Sequence, residues 1–287
     1  MLQVEASAGF GTIREIAGMR DCVRNPPGHD AGMKSLVFSA IIATGACLHA
    51  AEPTAQEWKA PDGTVIRYRW SAPEAPEAGK TYPLVVFLHG AGERGDDNKA
   101  QLRHGVSAIL SGAKAIDEPC FLIAPQCPSD SWWAPIDRGS MRLSSAEKPN
   151  ALLDALIARI DLLAKEHPID TTRLYLTGLS MGGFASWDLL GRAPGKFAAV
   201  VPICGGGDPT LVAKYKSTPI WVFHGEKDDV VPLRTSTEMV EALKKAGGEP
   251  KFTWYPEAGH DSWTAAYQDP KLIRWIFDQK LAAKDPG

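Results

Sequence analysis

Leu174-Tyr175-Leu176-Thr177-Gly178-Leu179-Ser180-Met181-Gly182-Gly183 decides the fold of this 287-residue chain. An apolar strand runs into Gly-x-Ser-x-Gly, and helical spacing of apolar residues follows over Gly183 to Leu190. That order places a serine on a sharp strand-to-helix turn. The turn presses neighbouring backbone together, so its glycines are needed where no larger side chain fits. The Ser180 hydroxyl then stands exposed, and the Met181 amide can face an oxyanion developing beside it. Gly-x-Ser-x-Gly alone also occurs in ordinary glycine-rich turns; the strand before it and the helix after it give this one its meaning.

Working outward, the chain alternates strands and helices. Thr64 to Trp70 alternates as an early strand, and Pro73 to Gly79 is a turn region. Leu84-Val85-Val86-Phe87-Leu88 and Phe121-Leu122-Ile123-Ala124 are continuous apolar runs, as buried parallel strands require. Ala151 to Lys165 has helical spacing, with Asn150 as its cap. Further strands fall at Leu174–Thr177, Ala198–Ile203, Ile220–Phe223 and Phe252–Tyr255, with helices at Ser236–Lys245 and Leu272–Leu281. The expected fold is a single α/β domain with a mostly parallel sheet and helices on both faces. Ligands of such sheets sit at the carboxyl ends of the strands.

A serine nucleophile needs a base, and the base needs an acid to orient it. Of seven histidines, His29 and His49 precede the domain and His167 ends a helix. His89 and His224 each close an apolar strand before a glycine and read as structural, as does His104. His260 follows the last strand in Glu257-Ala258-Gly259-His260, where a loop can return over the nucleophile. It is the candidate base. The strand Ile220–Phe223 leads into His224-Gly225-Glu226-Lys227-Asp228-Asp229, which offers two aspartates. Asp228 is the candidate acid and Asp229 the solvated competitor. The chain order Ser180, Asp228, His260 is that of α/β-hydrolases.

Composition narrows the partners. A net charge of −3 with 44% hydrophobic and 23% charged residues is ordinary for a soluble globular protein. It gives no basis for nucleic-acid binding, and no basic amphipathic helix suggests a membrane surface. Met33-Lys34, the short apolar run Leu36 to Leu48 and the small residues before Glu52 read as a secretory signal peptide over residues 33–51. The run is too short for a comfortable membrane span. The expected organisation is an upstream extension over 1–32, the signal peptide, and a catalytic domain over 52–287 in the periplasm or outside the cell. A buried helix is the alternative for the apolar run. Cys120 and Cys127 bracket one strand too long to bridge, which leaves Cys127 with Cys204 as the one pairing to consider. No cysteine spacing suggests zinc.

Together these stretches resemble the α/β-hydrolases of the phospholipase/carboxylesterase and dienelactone-hydrolase-like group. Within it, the chain is most similar to secreted bacterial predicted peptidases and prolyl-oligopeptidase-like esterases. Leu88-His89-Gly90-Ala91-Gly92-Glu93-Arg94-Gly95, Pro202 to Asp208, the His224 to Pro232 run and Gly259-His260 carry the resemblance along with the serine motif. It covers about Trp58 to Lys280. It implies an oxyanion hole from the amides of Met181 and Ala91, with Gly92 as the alternative. It also implies two-step hydrolysis of carboxylic esters without metal or cofactor. The substrate would be a small-molecule or polysaccharide-linked ester, such as a feruloyl, acetyl or short-chain acyl ester. A peptidase and a non-catalytic binding protein on the same fold are the rivals. Glu93 and Arg94 are expected to pair or to shape their loop, or Arg94 to anchor substrate. Trp133 and Trp263 are the candidate walls of a cleft, and Trp187 reads as core.

Overall fold

The structure is a computed structural model that describes residues 53–137, 139–143 and 149–282. The expected segments 1–32 and 33–51 lie outside the described residues.

The centre of the sheet is a pair of parallel strands, β3 (Tyr82–Leu88) and β7 (Ile169–Leu179). On one side of β3 come β4 (Phe121–Gln126), β2 (Val65–Ser71) and the edge strand β1 (Thr54–Lys59). On the other side of β7 come β8 (Ala199–Ile203), β9 (Trp221–Gly225) and β10 (Lys251–Tyr255). Only β2 breaks the parallel run, pairing antiparallel with both β1 and β4. The sheet order is therefore β1-β2-β4-β3-β7-β8-β9-β10.

Every residue of β3 and β4 is buried, because helices cover both faces. Leu84, Val86 and Leu88 point into one core, Val85 and Phe87 into the other, as the two-residue period of a strand dictates. The first core is closed by α2 (Ala151–Glu166), α3 (Met181–Arg192) and α4 (Arg234–Lys245). The second is closed by α1 (Val106–Ala115), α5 (Trp263–Gln268) and α6 (Pro270–Phe277). Asn150 caps α2 by accepting the Leu153 amide at 3.1 Å. Asp269 caps α6 through the Lys271 amide at 2.8 Å, with Pro270 in the first turn.

A two-stranded hairpin, β5 (Ile136–Asp137) and β6 (Arg142–Leu143), stands apart from the main sheet. Arg142 ties it to α4 by two bonds to Glu238, at 3.1 and 2.8 Å. No helix among the described residues is long and apolar enough to cross a membrane. The loops that leave β3, β7, β9 and β10 all emerge at the carboxyl edge of the sheet. They carry Ala91, Ser180, Asp228 and His260 respectively.

Candidate active site

Ser180 sits at φ +52° and ψ −117°, between the end of β7 and the first turn of α3. A non-glycine residue held there stores roughly 1–3 kcal/mol of strain. Its amide donates to the Ile203 carbonyl at 2.9 Å, which fastens the turn to β8. The glycines around it are required by contact. A Cβ at Gly178 would lie 2.4 Å from the Gly182 carbonyl oxygen, and one at Gly182 would lie 2.0 Å from that of Leu88. These neighbours are backbone and cannot swing away. The turn is thus pinned to both flanking strands, with the hydroxyl on its outer side.

His260 reaches that hydroxyl from the β10 loop, with Nε2 3.0 Å from Ser180 Oγ. Its Nδ1 lies 2.8 Å from Asp228 Oδ2. Asp228 is buried, and its other oxygen accepts the Val230 and Val231 amides at 3.0 and 2.8 Å. Burial alone would push this carboxyl up. The hydrogen bonds from His224, His260 and the Val231 amide outweigh it and hold the group well below the usual carboxylate range. An ionised Asp228 only accepts, so His260 Nδ1 carries the proton and Nε2 is left to take one from Ser180. Asp229 is exposed to solvent. The arrangement can deprotonate a serine hydroxyl as it attacks a carbonyl carbon.

Met181 is the first residue of α3, so its amide belongs to the first turn, where helix N–H groups lack an intrahelical acceptor and the helix dipole is positive. Ala91 opens a short 3-10 turn, Ala91–Glu93, immediately after Gly90. Gly90 passes so close that a Cβ there would sit 3.6 Å from Ser180 Cβ. Ala91, Ser180 and Met181 line the same cleft, whereas Gly92 is exposed and outside its wall.

That cleft has a volume of about 390 Å³ and is walled by apolar side chains, chiefly Trp132, Ile136, Met141, Phe184 and Val230. The structure departs from the sequence expectation here by one residue. Trp133 is fully buried and donates from Nε1 to the His89 carbonyl at 3.3 Å, so it packs beneath the loop. Its neighbour Trp132 faces the cleft. Trp263 is also outside the cleft wall and stands edge-on to His260, with ring centroids 5.2 Å apart. Arg94 spends its donors on the carbonyls of Ala91, Ser129 and Ser131, at 3.1, 3.3 and 3.1 Å. Its guanidinium lies 4.4 Å over the Trp132 ring, so its contacts shape the loop and brace Trp132. Glu93 is buried and pairs with Arg103 and His104, at 3.5 and 3.7 Å, not with Arg94.

The remaining histidines bond the frame. His89 donates from Nδ1 to the Gly90 carbonyl at 2.6 Å and accepts the Cys127 amide on Nε2 at 2.9 Å. Burial lowers its pKa to about 4, so it is neutral. Cys120, Cys127 and Cys204 are free, buried thiols, and the Cys127–Cys204 bridge does not form. Burial pushes Cys120 and Cys127 up to about 12, which keeps them protonated. Cys204, Asp228 and His260 bring potential metal-ligand atoms within 4.8 Å of one another. However, the imidazole and carboxylate are already bonded to each other, and the thiol is held protonated by burial.

An eight-stranded, mostly parallel sheet with a serine on its central strand-to-helix turn is the α/β-hydrolase fold. The chain belongs to the dienelactone hydrolase family, whose profile matches residues 134–284, just over half of its length. It is similar to a thermostable esterase of known structure, at 39% identity and a TM-score of 0.74. That likeness covers 80% of this chain and 64% of the other. It is also similar to acyl-protein thioesterase 1 of Neurospora crassa, 25% identical over 65% of this chain and 83% of the relative. A probable feruloyl esterase C of Aspergillus terreus is 24% identical over 63% of this chain and 62% of its own length. The chain thus spans under two thirds of the thermostable esterase and of the feruloyl esterase.

Proposed function

We propose that this protein is a serine carboxylesterase that works through an acyl-enzyme. The observation that carries the reading is the Ser180–His260–Asp228 hydrogen-bonded chain opening onto an apolar cleft. Ser180 Oγ attacks the ester carbonyl and His260 Nε2 takes its proton. Asp228 keeps the imidazole in the required tautomer and steadies the imidazolium. The Met181 and Ala91 amides receive the oxyanion. His260 then protonates the departing alcohol, and water, activated by the same base, releases the acid.

The cleft favours an apolar acyl group, because its walls offer an uncharged ester little to bond except at Ser180. At about 390 Å³ it falls in the range of small-ligand pockets, with room beyond an acetyl group. Short-chain and aromatic acyl esters, including feruloyl groups on polysaccharide, are the proposed substrates. The alcohol part would leave toward solvent past Val230, which is 57% exposed. The apolar run after Lys34 supports action in the periplasm or outside the cell.

A panel of p-nitrophenyl acetate, butyrate, hexanoate and decanoate, methyl ferulate and peptide p-nitroanilides tests the reading. Turnover of short or aromatic esters at rates at least a hundredfold above the anilides is expected. The reverse preference would make the protein a peptidase, and no turnover with an unlabelled Ser180 would make it a binding protein.

A further inference from the structure

His224 closes β9 four residues before Asp228 and is completely buried. Its Nε2 lies 2.8 Å from the Val231 carbonyl and 3.3 Å from Asp228 Oδ2. Both neighbours only accept, so this nitrogen must carry a hydrogen, and the tautomer is fixed by the structure. Asp228 Oδ2 therefore stands between two imidazoles: His260 on the solvent side at 2.8 Å and His224 on the core side. On its far side, His224 Nδ1 lies 2.7 Å from Ser236 Oγ, which is itself 3.0 Å from the Gly205 carbonyl. Ser236 has one hydroxyl hydrogen and two acceptors to choose between. Donated to Nδ1, it leaves His224 neutral. Donated to Gly205, it requires a second hydrogen on His224 and a buried imidazolium beside Asp228.

We propose that His224 is a positioning residue for ester hydrolysis: its Nε2–H shares the Asp228 oxygen with His260 and so limits how strongly that oxygen raises the basicity of His260. The proposal rests on the esterase reading for its kinetic consequence, but the coupling itself does not. The sign is the same in both states of Ser236. A donor on Oδ2 draws charge away from His260 and makes its imidazolium easier to deprotonate. Removing the donor leaves Oδ2 to His260 alone and raises the pH at which His260 becomes a free base.

The other groups facing His260 do not supply this effect. Ser180 and Cys204 are uncharged hydroxyl and thiol, and Trp263 meets the ring edge-on. His104 and Glu93 lie behind Trp263 and pair with each other. The neighbouring Asp261 is bonded to the Thr264 amide and hydroxyl.

The test compares His224→Leu, which removes the donor, with His224→Gln, whose amide can present one at the same place. The readout is the acidic limb of kcat/KM against pH with p-nitrophenyl butyrate. His224→Leu should move that limb up by about half to one pH unit, and His224→Gln should bring it back. Lowered activity with the limb unmoved in both variants would overturn the proposal and leave His224 a structural residue. Should His224→Leu not fold, the unmutated protein decides. In histidine 15N NMR, the Nε2 resonance of His224 should shift as His260 titrates, and an invariant resonance would overturn the proposal. Fluorophosphonate labelling of Ser180, run beside it, reports separately on the esterase reading.

Discussion

Replacing Asp228 with asparagine probes the site at its most constrained atom group. The carboxylate meets donors on every side: the Val230 and Val231 amides on Oδ1, and His260 and His224 on Oδ2. An asparagine must turn its NH2 toward one of these pairs. Facing the histidines, it forces His260 Nδ1 to accept and puts the hydrogen on Nε2, where it can no longer take the Ser180 proton. Facing the backbone, it leaves two amides without acceptors, and for the buried one, that of Val231, the cost is roughly 1–3 kcal/mol. The better compromise keeps the amides bonded and sacrifices the tautomer. Turnover should then fall about ten-thousandfold, equivalent to roughly 5.5 kcal/mol of barrier, while folding loses about 2 kcal/mol. Asp229→Asn, on an exposed side chain, should change both by less than about 0.5 kcal/mol. The assay is kcat/KM for p-nitrophenyl butyrate, with urea melts to establish that each variant is folded. A folded Asp228→Asn protein within tenfold of the parent, or a larger loss at position 229, would refute the reasoning.

The other predictions concern stability, selectivity and export. His89 is held neutral down to about pH 4 by burial, whereas in the unfolded chain it takes a proton near pH 6.5. The unfolded state binds more protons between those values, so stability should fall as pH drops through that window, by up to ~3 kcal/mol. Urea melts at pH 7 and 4.5 check this; His89→Gln should flatten the difference, and a flat profile in the parent contradicts it. Trp132→Ala should lower kcat/KM selectively for methyl ferulate and longer acyl chains with little loss of stability. Trp133→Ala should instead destabilise by about 3–5 kcal/mol, and equal effects of the two would put the cleft elsewhere. Expressed from Met33 in a bacterium with a periplasm, the protein should be recovered there with its N-terminus at Ala51 or Glu52, as N-terminal sequencing would read. An unprocessed cytoplasmic product contradicts the signal-peptide reading.

The parts of the fold legible in the sequence are those where local chemistry allows one solution. β3, β4, β8 and the second half of β7, from Leu174, are buried on both faces, so their sequences are near-continuous apolar runs. The serine turn is legible because its glycines answer to backbone four residues or one strand away. β1 is not legible because Thr54–Lys59 is an edge strand whose side chains are mostly exposed, and no burial pattern marks it. α5 is not legible for a different reason: six residues are too few to establish a period.

In the site, the loops that bring Ser180, Asp228 and His260 together follow from strand order, which alternation and chain direction convey. Side-chain direction in irregular segments does not follow. Nothing in Trp132-Trp133 says which indole turns inward; the deciding partner is the His89 carbonyl, 44 residues away. Glu93 has Arg94 beside it in the chain, but the 3-10 turn aims it at Arg103 and His104. His224 is recognisable from sequence as a frame residue. Its contact with Asp228 depends on how the β9 loop folds back, and a strand-end histidine before glycine carries no sign of it.

Trapping the acyl-enzyme tests the central claim most directly. The protein is quenched in acid within milliseconds of mixing with p-nitrophenyl butyrate, digested, and sequenced by mass spectrometry. The account predicts a butyryl group on Ser180, a matching burst of p-nitrophenol, and loss of both in a folded Ser180→Ala variant. An acyl group on another residue, or full turnover by folded Ser180→Ala, would contradict it.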